Sequence, residues 1–358
     1  MGLGAIVVIG AGSEGLRPVA QNSHAESLLA EPIECVEILG SSMLQRTIEH
    51  FTRSDVQAIT MLVPGSCSVP ALARTYSSVK ALAVSDVGSA IAQQLNDYSQ
   101  NGIDHSFIAS TSLYAEADLL DLFYFHREAR QAATRGLDRE GPLDLWVVNC
   151  AKALQTGLDN LLTRADETSP SYFIRDYVSR LTHPRDLRRL VSDALCGRCA
   201  MRPSGREVKP GVWVEEGAEI HRGARIVAPA YIGAGSEVQE DSLITRCSSV
   251  EKSCYVDCGT VIEDSSILAN THVGIWLDVC HAIASGNKLL SLEHEVMVEI
   301  SDASVLRSNG AVRPESEHRA CQDEGVEQQI VAAISPEQPP TPQTCGLEPI
   351  YPGVTDNV

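Results

Sequence analysis

The sequence predicts an α/β domain with a mostly parallel sheet, followed by a left-handed parallel β-helix built of hexapeptide repeats. The α/β prediction follows from strand and helix signals that alternate over about the first 150 residues. The β-helix prediction follows from branched aliphatic residues at every sixth position from Val208 onward. Beyond about Ser308 the periodicity ends, and seven of the seventeen prolines lie between Pro314 and Pro352, which predicts a disordered tail.

These signals divide the chain into four parts. We expect the α/β domain over residues 1–165 and a helical connector over 166–206. The β-helix with a closing strand is expected over 207–306, and the acidic, proline-rich tail over 307–358.

The α/β domain is predicted from short apolar runs and amphipathic helices. Ser41 and Ser42 can cap a helix whose apolar face is Leu44, Ile48 and Phe51, since these residues recur at helical spacing. Further helices are predicted over 87–98 and 117–133. The predicted strands cover 5–9, 33–38, 56–63, 106–109 and 145–150.

One helix is predicted in the connector. Pro184 suits its first position, and an apolar stripe follows at Leu187, Leu190, Val191 and Ala194. A basic cluster lies off this stripe, at Arg185, Arg188 and Arg189. It predicts a solvated helix face, with a phosphate contact as the alternative.

The hexapeptide period runs through eleven apolar positions that we expect to point into a triangular coil. They are Val208, Val214, Ile220, Ile226, Ile232, Val238, Ile244, Val250, Val256, Ile262 and Leu268. Mostly small residues follow four positions later and are expected at the corners: Val212, Ala218, Ala224, Ala230, Ser236, Ser242, Ser248, Cys254, Thr260, Ser266 and His272. Glycines 211, 217, 223 and 235 are expected to supply unusual turn angles. Eleven repeats predict three to four coils.

The charge and the apolar content of the sequence limit the classes of partner that the protein can bind. A formal net charge of −19 and a pI near 4.9 exclude general binding of nucleic acid or anionic membrane, because both need a basic surface. No apolar run reaches the roughly 18–20 residues of a membrane span. The first residues also lack the pattern of a secretory signal. We therefore expect a cytoplasmic protein with no nucleic-acid or membrane partner.

The eleven cysteines are scattered along the chain, which predicts reduced, inert thiols. Cys196 and Cys199 form the closest pair, but a zinc site needs about two more ligands at suitable spacing. We expect no metal there.

A glycine-rich segment follows the first predicted strand. Gly10, Gly12 and Gly15 have the spacing of a dinucleotide-binding fingerprint. In a Rossmann unit, however, a helix continues from these glycines, and Pro18 inside it would cost about 3 kcal/mol. A long loop that cradles a phosphate through its backbone N–H groups fits the segment better.

Together, the loop and the repeats resemble the sugar-nucleotide pyrophosphorylases, also called sugar-1-phosphate nucleotidyltransferases or NDP-sugar synthases. That family's loop ends Gly-Thr-Arg-Leu-Arg-Pro, and the matching stretch here is Gly10-Ala11-Gly12-Ser13-Glu14-Gly15-Leu16-Arg17-Pro18. The segment Leu39-Gly40-Ser41-Ser42-Met43-Leu44 is similar to the family's turn into its next helix. Asp118-Leu119 through Phe125-His126-Arg127 is similar to the helix after the family's metal-binding strand.

The resemblance implies a Rossmann-like nucleotidyltransferase domain followed by the β-helix. It also implies a reaction of sugar-1-phosphate with a nucleoside triphosphate, giving NDP-sugar and pyrophosphate for polysaccharide biosynthesis. The residues carried over as nucleotide-binding are Gly10, Ala11, Gly12 and Arg17. Magnesium would be the cofactor of an active enzyme.

This chain departs from the family where charge matters most. Glu14-Gly15 replaces the family's Thr-Arg, and Glu26 lies near the place of its lysine. The strand that should end in a metal-binding Asp has no carboxylate until Glu116. Since nucleotidyl transfer depends on charge neutralisation, we expect a nucleotide or sugar-phosphate ligand with little or no turnover, and no catalytic residues are assigned. Brisk turnover would imply that Glu116, Asp118 or Asp144 holds the metal.

Two other functions stay open. Hexapeptide β-helices also carry acyltransferases with a histidine general base, for which His221, His272 and His281 are candidates. Against this, no long insertion interrupts the repeats, and a structural role would explain each histidine. The remaining alternative is a non-catalytic assembly or regulatory scaffold. Under every interpretation we expect a homo-oligomer formed through the β-helix.

Overall fold

The computed structural model describes residues 2–9, 28–29, 33, 35–64, 79–157 and 171–309. The predicted tail from residue 310 onward and the glycine-rich segment from Gly10 to Pro18 lie outside these residues, whereas residues 307 and 308, also predicted as tail, belong to a strand. Among the described residues, no helix has the length and apolar character to cross a membrane.

A seven-stranded sheet forms the centre of the N-terminal domain, in the order β5-β4-β1-β6-β9-β8-β10. Its strands are β1 (Gly2–Val8), β4 (Ala58–Pro64), β5 (Val79–Val84), β6 (Ile103–Ser110), β8 (Ala133–Leu137), β9 (Pro142–Asn149) and β10 (Ser171–Phe173). All adjacent pairs are parallel except those of β9 with β6 and β8. The predicted α/β domain with a mostly parallel sheet is therefore confirmed. Through β10, the sheet extends into the range predicted for the connector.

Helices cover both faces of this sheet. They are α1 (Met43–Arg53), α2 (Val87–Gln100), α3 (Leu119–Ala129) and α4 (Cys150–Thr156). The first and third pack on one face, the second and fourth on the other. Ser42 caps α1 as predicted, since its Oγ accepts the Gln45 N–H at 3.1 Å. Helix α3 ends before the predicted residue 133, because Arg130 adopts a left-handed conformation and β8 begins at Ala133.

Two short antiparallel pairs lie beside the sheet. One joins β2 (Glu37–Ile38) to β3 (Ser41–Ser42), and the other joins β7 (Leu113–Ala115) to β11 (Val178–Arg180). The strand predicted over 33–38 is therefore limited to its last two residues among those described.

The C-terminal half, here called the repeat region (206–308), consists of short strands in three sheets. From β13 to β25 the chain visits the sheets in turn, and each strand pairs in parallel with the strand three places further on. The arrangement is compatible with a three-sided β-helix. The strands are β12 (Arg206–Lys209), β13 (Val212–Val214), β14 (Glu219–Ile220), β15 (Arg225–Ile226), β16 (Ala230–Ile232), β17 (Glu237–Val238), β18 (Leu243–Thr245), β19 (Ser248–Val250), β20 (Tyr255–Val256), β21 (Val261–Glu263), β22 (Ser266–Ile267), β23 (Thr271–Val273), β24 (Asp278–Cys280), β25 (Ala282–Ser285), β26 (Lys288–Ser291), β27 (Val296–Glu299) and β28 (Leu306–Ser308).

The phase of the repeat changes after Ile262. Up to that point strands pair at a spacing of 18 residues, as in Ile244 with Ile262, but Val250 then pairs with Ile267, a spacing of 17. The interior position therefore belongs to Ile267, and the prediction that Leu268 points inward is wrong. The corner positions likewise fall one residue earlier than predicted, at Ser265 and Thr271. The parallel pairing also continues past Val273, through β24 and β25.

Other details of the predicted repeat also change. Val208 lies in β12, which pairs antiparallel with β13, and is only partly buried. Glycines 211, 217 and 235 have the expected positive φ, with values of 77°, 78° and 63°. Gly223 is not among the residues with positive φ, so that prediction is wrong.

Helix α5 (Pro184–Leu195) joins the two halves. Pro184 occupies the first turn as predicted, and Leu187, Leu190 and Val191 are buried against an outer face of the repeat region that includes Tyr231 and Ile283. The predicted solvated basic face holds for Arg185 and Arg189 but is wrong for Arg188. The Arg188 guanidinium is buried between the helix and a repeat turn, where it donates to Asp264 Oδ1 at 2.6 Å.

Candidate functional site

The carboxyl ends of β1 and β6 mark the expected ligand position in the N-terminal sheet. From β1 the chain continues to β4 and β5 on one side, then crosses to β6 on the other. Ligands of open α/β sheets bind at such a switch point. Thr111 holds the two strand ends together, because its N–H and its hydroxyl both donate to the Val8 carbonyl, at 3.1 and 3.2 Å.

A cleft of about 1040 Å³ opens beside this position. One wall is the outer side of α1, and the opposite wall runs from β7 into the first turn of α3. Sheet residues Ala109, Ser110 and Leu145 form part of the lining, and residues 200–202 and 204 close another side. The segment that carries the predicted glycine loop begins directly after Ile9. The predicted nucleotide-binding residues Gly10, Ala11, Gly12 and Arg17 lie outside the described residues, so their assignment stays a prediction.

The carboxylates nearest the end of β6 already have structural partners. Glu116 accepts hydrogen bonds from the Tyr114 hydroxyl at 2.9 Å and from the Ala200 N–H. Asp118 is the N-cap of α3 and accepts the N–H groups of Leu120 and Asp121, both at 3.0 Å. In each carboxylate these bonds fall on one oxygen, Oε1 of Glu116 and Oδ1 of Asp118, and they fix the orientation of the side chain.

Asp144 lies apart from the other two. It is buried in β9, 3.5 Å from the Arg135 guanidinium, and lines a separate small cavity with Ser110 and Arg180. Burial raises its pKa to about 6, and Arg135 offsets only part of that effect. Within the described residues, no three His, Cys, Asp or Glu side chains form a group that could hold a metal. Glu116, Asp118 and Asp144 are therefore not brought together.

The cleft is not cationic. Arg46, Arg53 and Arg202 face four carboxylates, Glu49, Glu116, Asp118 and Asp176, which leaves one formal negative charge among these described lining residues. Burial lowers the pKa of His50, so its ring contributes no positive charge at pH 7. Arg53 is paired with Glu49 at 3.2 Å.

Arg46 is a partly buried cation of the cleft, and no pattern in the sequence points to it. Its guanidinium donates to the carbonyls of Ile38, Leu39 and Arg202 at 3.1, 3.3 and 3.4 Å. Burial lowers its pKa. These bonds tie α1 to the β2–β3 turn and to the connector. Their acceptors are backbone carbonyls outside the helix, so the helical periodicity of the sequence does not indicate them.

The three candidate histidines of the repeat region have different surroundings. His221 Nδ1 accepts the N–H of Gly223 at 3.1 Å, a local turn contact. His272 is buried beside the Tyr255 ring, 3.6 Å from Asp257, and not at a corner. His281 is half exposed, and its Nδ1 lies 2.6 Å from Asp264.

No disulfide bond joins the described cysteines, and their predicted inertness stays a prediction. Cys196 lies beside one further thiol, since its Sγ is 3.0 Å from that of Cys247, but within the described residues no group of three potential metal ligands forms there. In comparisons with protein-family models and with curated proteins, no family and no curated protein matches this chain.

Proposed function

We propose that the chain is a nucleotidyltransferase-like protein of sugar-nucleotide or polysaccharide biosynthesis that binds a nucleotide or sugar phosphate at the switch-point cleft. We further propose that it performs little or no nucleotidyl transfer. The observation that carries this proposal is the placement and hydrogen bonding of the Glu116 and Asp118 carboxylates. Both lie where a magnesium ligand would be needed, each uses one carboxylate oxygen for hydrogen bonds of the fold, and among the described residues they are not part of a group of three potential metal ligands.

The charge of the cleft supports the same conclusion. A triphosphate brings about four negative charges, and its transfer is accelerated by metal ions and by Lys or Arg at the transferred group. Three arginines against four carboxylates do not supply this neutralisation. A sugar monophosphate or a diphospho-sugar carries less charge, and backbone N–H groups of a glycine loop can bind one phosphate.

The proposed architecture also includes a left-handed β-helix that mediates assembly. The pairing of every third strand and the interior column of branched aliphatic residues support a three-sided coil. Since stacked coils leave open ends and edges, a repeat domain of this kind is commonly shielded by further chains.

Acyl transfer is the second candidate function, and His281 is the observation that favours it. A half-exposed imidazole with a carboxylate on Nδ1 has the arrangement of a general base, because Asp264 fixes the ring while about half of the side chain stays exposed. Neither His221 nor His272 has this combination of exposure and carboxylate contact.

Thermal-shift titration separates these functions. The ligands are the four common nucleoside triphosphates with and without magnesium, NDP-sugars, sugar-1-phosphates and acetyl-CoA. A specific ligand at a hundred times its Kd adds about 2.7 kcal/mol of stability, so binding is readily seen. We expect stabilisation by an NDP-sugar or sugar-1-phosphate.

Paired variants locate the site. Arg202→Glu in the cleft should weaken that stabilisation, whereas Arg225→Glu on the exposed surface of the repeat region should not. Stabilisation by acetyl-CoA alone, together with acetyl transfer that His281→Ala abolishes, would replace the first proposal by the second. The absence of any shift with phosphorylated sugars would contradict ligand binding at the cleft.

A further inference from the structure

Two cysteines from different halves of the molecule meet at the junction of the connector with the repeat region. Cys196 is the C-cap residue of α5, and Cys247 lies in the turn between β18 and β19, 51 residues further along the chain. Their Sγ atoms are 3.0 Å apart. Cys196 is exposed, whereas Cys247 is partly buried.

The contact between these cysteines is held by the surrounding structure. Leu187, Leu190 and Val191 fix α5 against the repeat region. Arg188 fixes the facing turns, since its guanidinium donates to the Asp264 carboxylate at 2.6 Å and to the Arg246 carbonyl, directly before Cys247, at 3.4 Å. Both sulfurs are therefore presented by well-anchored backbone.

We propose that Cys196 and Cys247 form a reversible disulfide by exchange with a low-molecular-weight disulfide such as oxidised glutathione. A disulfide bond measures about 2.05 Å, so the sulfurs need to approach by only about 1 Å. The modification would join α5 covalently to the repeat region. In reducing compartments, disulfides of this kind are usually catalytic or redox-sensing.

The exchange has two steps. The Cys196 thiolate attacks one sulfur of the small disulfide, which forms a mixed disulfide and releases one small thiolate. Cys247 sulfur then attacks the Cys196 sulfur, which forms the protein disulfide, and the second small thiolate leaves and takes up the Cys247 proton. Two protein thiols are oxidised and one small disulfide is reduced to two thiols.

The surroundings of the two thiols determine which of them attacks first. Cys196 is the exposed sulfur and so the one that a dissolved disulfide can reach. Burial raises the pKa of the Cys247 thiol to about 12, so Cys247 is the poorer attacking group and reacts second, when the mixed disulfide lies beside it. Arg188 lies near Cys247 and favours the ionised form of that thiol, which opposes part of the effect of burial on its pKa.

Peptide mapping tests the proposal on the full chain. The reduced protein is equilibrated with mixtures of oxidised and reduced glutathione, the remaining thiols are blocked with N-ethylmaleimide, and the protein is digested with trypsin. Cleavage after Arg189, Arg198, Arg246 and Lys252 yields peptides 190–198 and 247–252, with one cysteine each. We expect these two peptides to be joined in the oxidised sample and separate after reduction.

Matched variants complete the design. Cys196→Ser and Cys247→Ser should each abolish the joined peptide, whereas Cys280→Ser, which removes another exposed thiol, should leave it. The oxidised wild type should melt at a higher temperature than the reduced form, because the bond closes a loop of about 50 residues. A persistent glutathione adduct on Cys196 without the cross-link, or a bond from Cys196 to the peptide that begins at Cys199, would overturn the proposal.

Discussion

The carboxyl group of Glu251 in the repeat region accepts the backbone N–H of Leu39 in the N-terminal domain, at 3.0 Å. The neighbouring N–H of Gly40 approaches the same carboxyl at 3.4 Å. Leu39 and Gly40 both have positive φ, and this tight turn directs their two N–H groups at one acceptor. Glu251 is completely buried, which raises its pKa to about 8. The contact between the two halves therefore depends on a carboxyl group whose charged form is disfavoured.

We expect Glu251 to make the protein less stable as the pH rises. Its pKa is raised from 4.5 to about 8 on folding, so the folded state binds the proton more tightly. The stabilisation of the folded state by this proton is fully present below about pH 4.5 and is lost as the pH rises to about 8. Each tenfold difference in proton affinity corresponds to about 1.4 kcal/mol. Glu251→Gln should remove several kcal/mol of pH dependence from urea unfolding measured at pH 5 and pH 8.5.

The exposed Glu216 supplies the control for that measurement. Glu216→Gln should leave the pH dependence of unfolding unchanged. Equal pH dependence in Glu251→Gln and wild type would show that Glu251 is ionised in the folded protein.

The buried histidines act in the opposite direction, toward acid sensitivity. Burial lowers the pKa of His126 from 6.5 to about 4 and also lowers the pKa of His105, whose ring lies 5.4 Å away. A folded state that keeps His126 neutral loses stability as the pH falls from about 6.5 to about 4. The melting temperature of His126→Gln should therefore fall less between pH 7 and pH 4.5 than that of wild type. Exposed His294→Gln should behave like wild type.

The interior of the repeat region should not tolerate a charge. Ile232 is fully buried in its core, where an unpaired carboxylate costs several kcal/mol. We expect Ile232→Asp to abolish cooperative unfolding of this region by circular dichroism. Arg225→Asp places the same residue on the outer surface, and its free energy of unfolding should lie within about 0.5 kcal/mol of the wild-type value. Unchanged melting of Ile232→Asp would contradict the assigned interior.

We expect the protein to be a dimer or trimer in solution. Strand β27 is the edge of its sheet, and its Val296 and Val298 are 51% and 47% exposed. An exposed apolar edge strand is a ready surface for another chain. Light scattering at tens of micromolar should give a mass above that of one chain, and Val298→Lys should lower it if the edge is used. A monomeric mass for wild type would reject the expectation.

Chemistry at the cleft gives the last prediction. Sugar-1-phosphates mixed with each of the four common nucleoside triphosphates and magnesium should release little or no pyrophosphate. The reason is that Glu116 and Asp118 do not belong to a group of three potential metal ligands and that the described lining of the cleft carries no net positive charge. An enzyme-coupled pyrophosphate assay measures this directly. Turnover faster than about 1 s⁻¹, within the ordinary range for enzymes, would contradict the proposal.

Local sequence signals predicted the elements whose determinants are local. The capping by Ser42 and the buried face of Leu44, Ile48 and Phe51 follow from spacing within one helix. Strands β5 and β8 were missed, because segments such as Ala133–Leu137 contain polar residues and no long apolar run. The phase change was missed because Ile267 and Leu268 are both apolar, so the period of six continues in the sequence while the pairing does not.

The functional contacts were harder to predict, since their partners are far apart in the chain. Arg188 is buried because Asp264, 76 residues away, lies opposite it. Glu251 meets Leu39 across 212 residues. Neither pair has a periodic or motif signal, and only the tertiary structure brings its members together.

The coils that turn at Asp264 and His281 step by 17 residues where the earlier coils step by 18. With the longer step, Leu268 would take the interior place above Val250. With the shorter one, it faces outward and packs in the same cluster as α5 and the N-terminal domain. The adhesion of the two halves is thus governed by the length of one turn. Deletion of Ser265 would place Leu268 17 residues after Val250, in the inward position, and would leave Ala269 in the outward place, which should loosen the junction.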